Sequence, residues 1–227
     1  MVERDITVSH VTDPTALASA ARSSLLAHFD TIANLIWGKP ADVFQRLESW
    51  IFASDTGLLL ARAPSGELVG FSVYRRLTLG SARIIHRETT NVIPAAQGRG
   101  VWTAFTRRLL HDLAAGTDGR PLHLAFRTRN PIIYMANYGL CEAIVPDLLR
   151  SRLPDPSLAE LAGRAAEQLY PYLCLQRPAM VMPDAYVGAG YRSAPRHRDE
   201  EIHTRFFAAP GMEQPASALF VLGRVKA

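Results

Sequence analysis

The pattern of apolar and polar positions predicts most of the strands in this chain. Residues 6–11 alternate with a period of two, and the segments 57–62, 67–74, 82–93 and 122–127 are also predicted as strands. Pro64-Ser65-Gly66 is a turn signal that predicts a hairpin between the second and third strands. Two later segments, residues 180–186 and 218–225, are also predicted as strands.

Helical spacing of apolar residues predicts the elements between these strands. The predicted helices cover residues 14–29, 40–52, 101–113, 131–138 and 156–169. Asp13-Pro14, Asn130-Pro131 and Asp155-Pro156 each place a capping side chain before a proline, which favours a helix start. The polar stretch 191–205 has no clear period and no metal-ligand spacing, so we expect either an ordered lid or a mobile loop.

The order of the elements predicts the fold class. Two helices follow the first strand, three antiparallel strands come next, and one strand–helix–strand crossover follows them. This order is typical of a mixed α/β (α+β type) sheet flanked by helices and not of a repeated parallel βαβ fold.

Composition and charge narrow the classes of partner. The chain has 227 residues, is 48% hydrophobic and carries a formal charge of +4. Its arginines are scattered, so no basic run points to a nucleic acid or a membrane surface. No apolar run approaches the roughly 20 residues that a membrane-spanning helix needs. Because no apolar leader is present and Cys141 and Cys174 have no metal spacing, we expect two buried thiols in a cytoplasmic protein.

The stretch from Asn91 to Trp102 holds the clearest candidate site. A predicted strand enters it, a predicted helix leaves it, and Gly98 and Gly100 lie in the short turn between them. A turn of this kind presents unpaired backbone N–H groups at the positive end of a helix dipole. The sequence therefore predicts a cradle for a phosphate or pyrophosphate group.

The residues Val92-x-Pro94-x-x-Gln97-Gly98-Arg99-Gly100, placed between a strand and a helix, resemble the GNAT superfamily of acyl-CoA-dependent acyltransferases. The family signature is Arg/Gln-x-x-Gly-x-Gly/Ala, in which Gln97 and Gly100 match and Trp102 differs from the last position. The order of elements is similar over residues 6–140. The resemblance implies a mostly antiparallel central sheet with a V-shaped splay between the fourth and fifth strands.

The resemblance also implies a co-substrate, acetyl-CoA or another acyl-CoA, with no metal. Its pyrophosphate is expected on the backbone amides of Gln97, Gly98, Arg99, Gly100, Val101 and Trp102. Its pantetheine arm is expected along the backbone of Asn91, Val92 and Ile93. Asn130 matches a polar residue that many members carry after the fifth strand.

Trp102 allows two interpretations. Its indole either anchors the apolar helix face that includes Phe105 and Leu109, or crowds the ligand at the turn.

Acyl transfer to an amine needs a base for the amine proton and an acid for the leaving thiolate. The family often places the base on the fourth strand, where Glu88 and His86 share one face. The alternative for Glu88 is a solvent-facing carboxylate or one paired with Arg87 or Arg83. For the acid, the family uses a tyrosine on the helix after Asn130, where Tyr134 and Tyr138 lie four residues apart. A tyrosine hydroxyl that caps a buried site is the alternative for both.

These observations predict a single acyltransferase-like domain over residues 1–227. Residues 6–140 would form the CoA-binding core, and residues 141–227 an enlarged C-terminal part that completes the acceptor side. The expected function is N-acyl transfer to the amine of a small metabolite. An acetyl group is the expected acyl group. The alternative is a non-catalytic acyl-CoA-binding sensor or partner module. No nucleic acid or membrane partner is expected, and a homodimer is left open.

Overall fold

The computed structural model describes residues 6–37, 42–114, 119–150, 155–187 and 194–226. Over these residues the chain forms a mixed, mostly antiparallel sheet with helices, and this confirms the predicted fold class. The strands are β1 (Thr7–Val11), β2 (Thr56–Arg62), β3 (Leu68–Leu79), β4 (Ala82–Val92), β5 (Leu122–Thr128), β6 (Cys141–Val145), β7 (Val181–Met182) and β8 (Ala218–Val225). The helices are α1 (Ser19–Trp37), α2 (Glu48–Ile51), α3 (Val101–Ala114), α4 (Pro131–Tyr138), α5 (Pro156–Leu169) and α6 (Glu200–Phe207).

Two compact units make up the chain, and each contains part of β3 and part of β4. The first consists of the described residues of Met1–Arg76 and Arg87–Gly119, with strand order β1-β2-β3-β4. The second consists of those of Leu77–His86 and Arg120–Ala227, with strand order β4-β5-β8-β6 and β7 paired to β8. The β4–β5 pair is parallel, as the crossover through α3 requires. The single-domain organisation stays a prediction. The V-shaped splay between β4 and β5 also stays a prediction.

Three phenylalanines form the centre of the core in the first unit. Phe29 of α1 stacks on Phe71 of β3 with ring centroids 3.9 Å apart and planes 13° apart. Phe44 meets the ring of Phe71 edge-on at 5.2 Å. Phe29 and Phe71 have no exposed surface and Phe44 has little. Since an aromatic ring buries a large apolar area, this group fixes α1 on one face of the sheet.

A polar group lies on the other face of β3 and joins three elements of the first unit. The ring of His10 in β1 bonds through Nδ1 to Asp112 Oδ2 in α3, and its Nε2 lies 2.6 Å from the Tyr74 hydroxyl. An ionised Asp112 accepts from Nδ1–H, which leaves Nε2 of a neutral imidazole to accept from Tyr74. Arg108 Nε also donates to Asp112, at 2.7 Å. Gly57 makes room for this group, because a Cβ there would lie 2.3 Å from the Tyr74 hydroxyl.

Replacing Asp112 by Asn is expected to make the free energy of unfolding depend less steeply on pH in the acid range. The hydrogen bond from His10, and after it the one from Arg108, holds the pKa of Asp112 below its ordinary value near 3.8. A carboxyl group with a lowered pKa in the folded state stabilises the fold above its unfolded pKa, and this contribution disappears as the pH falls through the folded pKa. Urea unfolding between pH 2 and pH 6 (about the range in which carboxyl groups titrate) measures the difference. A Glu67→Gln variant at an exposed carboxyl is the control, and equal slopes for the two variants would contradict the assignment.

Strand β8 organises the second unit. It pairs antiparallel with β5 on one side and with β6 on the other, and α5 packs against it. Phe220 and Leu222 of β8 are buried with Leu158 and Ala162 of α5. Gly223 allows Cys141 to approach, since a Cβ there would lie 2.3 Å from its sulfur. A long strand in a central position thus forms the core of this unit.

The bounds predicted for the first two helices from local signals were wrong. Asp13 does cap a helical turn, but this 3-10 turn covers only Pro14–Ala16 because Leu17 adopts an extended backbone at ψ 135°. The α-helix that follows ends at Trp37, well beyond the predicted end at residue 29. The helix predicted over residues 40–52 is reduced to a 3-10 turn at Gln45–Leu47 and the short α2, and residues 40 and 41 lie outside the described ranges.

The later part of the chain departs further from the prediction. The strand predicted over residues 180–186 shortens to β7, because Met180 and Asp184 have positive φ angles of 58° and 57°, which a strand cannot contain. Strand β6 was not predicted. Residues 200–205 of the polar stretch 191–205 belong to helix α6 and not to a loop; Asp199 caps this helix and acidic residues occupy its first turn. The alternative of an ordered lid stays a prediction, and residues 191–193 lie outside the described ranges.

Cys141 and Cys174 form no disulfide, and Cys141 is buried as predicted. Cys174 is exposed, so the expectation of a second buried thiol was wrong. Among the described helices, none combines the length and the apolar character that crossing a membrane requires.

Candidate functional site

The predicted phosphate turn lies between β4 and α3 in the first unit. Pro94–Ala96 form a 3-10 turn directly after β4, and α3 begins at Val101. Gly98 and Gly100 adopt φ angles of 75° and 81°, in the left-handed region that a side chain disfavours. An added Cβ would meet no atom within 4 Å at either position. The glycines therefore serve the backbone conformation and leave open space above it.

The backbone N–H groups of this turn fall into two sets. Gln97 donates to the carbonyl oxygens of Ile93 and Pro94, both at 3.2 Å, and Arg99 donates weakly to Ala96 at 3.4 Å. Within the described residues, no well-aligned hydrogen bond to an acceptor in the chain is formed by the N–H groups of Gly98, Gly100, Val101, Trp102 and Thr103; the first helical bond is from Ala104 to Gly100, at 2.9 Å. Five donors at one helix start thus lack a well-aligned acceptor in the described chain and lie at the positive end of the dipole.

The side chain of Gln97 closes the turn. Its Nε2 donates to the carbonyl oxygen of Val92 at 3.0 Å, which joins the end of β4 to the start of the glycine segment. The exposed side chain of Arg99 adds a full positive charge to the same turn. The turn is therefore both held in shape and electropositive.

Asn91 and Ile93, predicted along the pantetheine arm, have internal partners. The indole N–H of Trp37 donates to Asn91 Oδ1 at 2.5 Å, and Asn91 Nδ2 donates to Thr89 Oγ1 at 2.8 Å. These bonds use the side chain of Asn91, whereas the prediction concerns its backbone. Ile93 donates its N–H to Val69 at 2.9 Å and accepts from Ala96 at 2.9 Å. The predicted backbone contact of Asn91, Val92 and Ile93 with pantetheine stays a prediction.

Trp102 packs against a cation that the sequence did not point to. The guanidinium carbon of Arg87 lies 4.4 Å from the centroid of the Trp102 ring. Arg87 itself is only 5% exposed, and its Nη2 donates to Thr106 Oγ1 at 2.7 Å. Phe105 and Leu109 are buried, so the predicted apolar face of α3 is present. The half-buried Trp102 lies on it with a charged neighbour in place of a purely apolar one.

The two candidate bases on β4 differ in exposure. His86 has no exposed surface; its Nε2 lies 3.0 Å from the Tyr170 hydroxyl, and its ring lies nearly parallel to Phe220, with centroids 6.3 Å apart. Glu88 keeps partial exposure. A base must reach the amine of an incoming substrate, so exposure favours Glu88 over His86. Both roles remain predictions.

The two candidate acids on α4 also differ. Tyr134 is 1% exposed, donates its hydroxyl to the carbonyl oxygen of Pro146 at 2.9 Å and accepts from the N–H of Leu148 at 3.0 Å. Burial raises the pKa of Tyr134 well above its ordinary value. Tyr138 is partly exposed and donates to Asp147 at 3.2 Å; desolvation, and then the nearby Asp147 charge, raises its pKa. Tyr134 therefore has the hydrogen bonds of a structural residue, and Tyr138 keeps the more accessible hydroxyl.

A Tyr134→Phe variant tests this distinction. Loss of the hydroxyl removes its bonds to the part-buried groups of Pro146 and Leu148, and at about 0.5–1.5 kcal/mol for each bond the free energy of unfolding should fall by about 1–3 kcal/mol. Tyr138→Phe is the matched control, and its cost should be smaller because Asp147 keeps bonds from Leu149 and Arg150. Urea unfolding of both variants measures the two values. Equal costs would contradict a structural role for the Tyr134 hydroxyl.

Asn130 caps α4. Its Oδ1 accepts from the N–H groups of Ile132 at 2.9 Å and Ile133 at 3.4 Å, and its own N–H donates to Thr128 Oγ1. The capping role predicted from Asn130-Pro131 is confirmed. Its predicted contact with the co-substrate stays untested.

The structure brings the turn residues of the candidate site together, as the strand–turn–helix pattern predicts. Sequence reasoning missed the support of Asn91 by Trp37 of α1, and of Trp102 by Arg87 of β4 and Thr106 of α3. For Arg87 one signal was available: it lies on the strand that leads into the turn. Among the described residues, no group of His, Cys, Asp and Glu side chains is arranged to hold a metal ion.

No family model matches the sequence, and no curated protein does. Solved structures do match. A ribosomal-protein-alanine N-acetyltransferase from Brucella melitensis biovar Abortus 2308 is 17% identical, with 60% of this chain and 89% of that chain covered and a TM-score of 0.43. An aminoglycoside acetyltransferase from an uncultured soil metagenomic sample is 19% identical, with 66% and 99% covered and a TM-score of 0.45. A chain from Desulfovibrio desulfuricans, described as a GNAT-family protein, is 18% identical, with 64% and 92% covered and a TM-score of 0.43.

These three structures are acetyltransferases by name, the class that the signature around Gln97 and Gly100 resembles. Their identities and TM-scores are too low to carry an argument about the activity of this chain. The assignment of function therefore depends on the residues of the chain itself.

Proposed function

We propose that the chain is a GNAT-type N-acyltransferase that moves an acetyl group from acetyl-CoA to the amine of a small metabolite. The observation that carries the proposal is the set of backbone N–H groups of Gly98, Gly100, Val101, Trp102 and Thr103, which have no well-aligned acceptor in the described chain. They follow a strand, lie at a helix start and surround two glycines with positive φ. A pyrophosphate group has the charge and the acceptor atoms that such a cradle binds.

The reaction itself needs few protein groups. The neutral amine attacks the thioester carbonyl, a C–N bond forms, the C–S bond breaks, and the thiolate leaves with the electron pair. One proton must leave the amine and one must reach the sulfur. In this proposal Glu88 takes the first proton, directly or through water, and Tyr138 supplies the second. The partial exposure of both side chains supports these roles over the buried His86 and Tyr134.

The proposed acceptor is a small amine, and no particular compound is named. The long segment after α4 supplies β6, α5, β7, α6 and β8, which is more structure than a CoA-binding core requires. An enlarged part of this kind suits a dedicated pocket for one small amine. The polar segment at α6, with Arg196, Glu200, Glu201 and Arg205 on its surface, contributes both signs of charge.

The first experiment measures binding of CoA and acetyl-CoA by thermal unfolding and calorimetry. At a ligand concentration 100 times Kd, binding should stabilise the fold by about 2.7 kcal/mol. Absence of any stabilisation by either ligand would reject the co-substrate and with it the proposed function.

The second experiment follows thiol release from acetyl-CoA with a library of small amines. Turnover with at least one amine supports the enzyme, whereas binding without turnover supports the non-catalytic sensor. Glu88→Gln should lower kcat at least tenfold at neutral pH, since general base catalysis contributes roughly 10²–10⁴-fold. An unchanged pH–rate profile in this variant would remove Glu88 as the base.

A further inference from the structure

Trp102 lies at a position from which a large side chain could block the N–H groups of the phosphate turn. It is the second residue of α3, at a position where the resembled signature has glycine or alanine. Side chains in a helix lean towards its N-terminus, and the N-terminus of α3 is the turn of Gly98 and Gly100. An indole in the first turn therefore covers the free N–H groups unless another residue holds it elsewhere.

Arg87 and Thr106 contact Trp102 and each other in the first unit, and we call these three residues the Arg87–Trp102–Thr106 cluster. The Arg87 guanidinium carbon lies 4.4 Å from the ring centroid. Thr106 Oγ1 accepts from Arg87 Nη2 at 2.7 Å and donates to the carbonyl oxygen of Trp102 at 2.9 Å. Thr106 thus fixes the guanidinium and the backbone of Trp102 with one hydroxyl.

Burial strengthens this contact. Arg87 is 5% exposed and Thr106 is 6% exposed, so water competes little for the face of the indole or for the guanidinium. Desolvated cation–π contacts are stronger than exposed ones, and a planar guanidinium stacks on an aromatic ring better than an ammonium group does. Arg87 belongs to the middle of strand β4, so this contact joins the indole to the strand.

We propose that Arg87 is a positioning residue that holds the Trp102 indole on β4 and so keeps the N–H groups of Gly98 and Gly100–Thr103 open to pyrophosphate. This inference rests on the proposed function for the identity of the ligand. The contact between Arg87 and Trp102 does not depend on it. In this proposal Arg87 affects CoA binding only through Trp102. The competing explanation is that the positive charge of Arg87 attracts the phosphates directly.

A double-mutant cycle separates the two explanations. Calorimetry gives Kd for CoA in the wild type, Arg87→Met, Trp102→Ala and the double variant. Arg87→Met should weaken binding about tenfold when Trp102 is present, consistent with a desolvated cation–π contact. The same change in the Trp102→Ala background should leave Kd within twofold, because no indole then needs to be held. An equal loss in both backgrounds would overturn the proposal in favour of a direct charge effect.

Two further variants keep the test decisive. Thr106→Val leaves Arg87 in place but removes the hydroxyl that fixes it, and should weaken binding a few-fold even if Arg87→Met does not fold. Arg62→Met, at an exposed arginine of β2 in the same unit, is the control and should bind CoA as the wild type does. A Thr106→Val variant with wild-type affinity would count against the cluster.

A second readout is independent of CoA. The indole N–H signal of Trp102 in a ¹H–¹⁵N NMR spectrum, assigned by its loss in Trp102→Ala, should shift in Arg87→Met. The signals of Trp37 and Trp50 should stay in place. If wild-type protein binds neither CoA nor inorganic pyrophosphate, the proposed function fails, while the indole shift still decides whether Arg87 positions Trp102. An unmoved Trp102 signal would overturn the positioning role in either case.

Discussion

Gly100→Asp should weaken the binding of CoA about 100-fold relative to Gly100→Asn. The two side chains have nearly the same size and differ by one negative charge. At roughly 6 Å from a phosphate charge and an effective dielectric constant of about 20, that charge costs about 3 kcal/mol, which corresponds to this factor. If the pyrophosphate lies on the amides of Gly98–Thr103, the aspartate points its charge at the ligand.

The local geometry makes this pair of variants well matched. Gly100 has a φ of 81°, and an added Cβ meets no atom within 4 Å. Asn and Asp tolerate the left-handed region better than other residues, so both variants should fold with a similar loss of about 1–2 kcal/mol. Urea unfolding checks that the two losses agree, and calorimetry then gives the two Kd values. Equal affinity of the two folded variants would place the phosphates away from this turn.

Phe71→Ala should lower the free energy of unfolding by about 3–5 kcal/mol. The Phe71 ring is fully buried, stacks on Phe29 and receives the edge of Phe44, so its loss removes two ring contacts and leaves a cavity. The rings around it come from α1 and from the segment before α2, and neither can close the space without moving. This is the largest change in stability that we expect from a single substitution in the first unit.

Two variants calibrate this expectation. Phe71→Leu keeps most of the apolar volume and should cost less than half as much. Leu35→Ala removes a large apolar side chain that is 51% exposed, on the same helix as Phe29, and should change stability by at most about 0.5 kcal/mol. Urea unfolding measures all three. A cost below about 1 kcal/mol for Phe71→Ala would show that the three rings do not form the centre of this core.

Short-range signals account for the parts that were predicted correctly. The turn after β4, the caps at Asn130 and Asp155 and the boundaries of α3 depend on neighbouring residues, and each was predicted within about two residues. The hairpin at Pro64-Ser65-Gly66 belongs to the same class. Such features are encoded locally because backbone conformation and capping involve residues only a few positions apart.

Contacts between distant residues account for the parts that were missed. The place of β8 between β5 and β6 depends on pairings that no local pattern reveals. Positive φ angles at Met180 and Asp184 shortened β7 to Val181–Met182. Arg87 was visible only as a charge, because its partners Trp102 and Thr106 come from the next helix.

Candidate chemistry shows the same limit. The sequence supplies the residue types, Glu88, His86, Tyr134 and Tyr138, but hydrogen bonding decides which of them has a proton to give or take. The hydroxyl of Tyr134 is engaged by Pro146 and Leu148, two groups that carry no motif. Burial removes His86 from solvent for a similar reason. Roles of this kind follow from packing and not from spacing along the chain.

The central place of β8 has a consequence for synthesis in the cell. The strands and helices of the first unit are all translated by residue 114, so they can fold while the ribosome still makes the remainder. Strands β5 and β6 leave the ribosome long before β8, and until it arrives each has an unpaired edge that can bind other chains. We therefore expect released chains that end before Ala218 to need chaperones far more than released chains that include Val225.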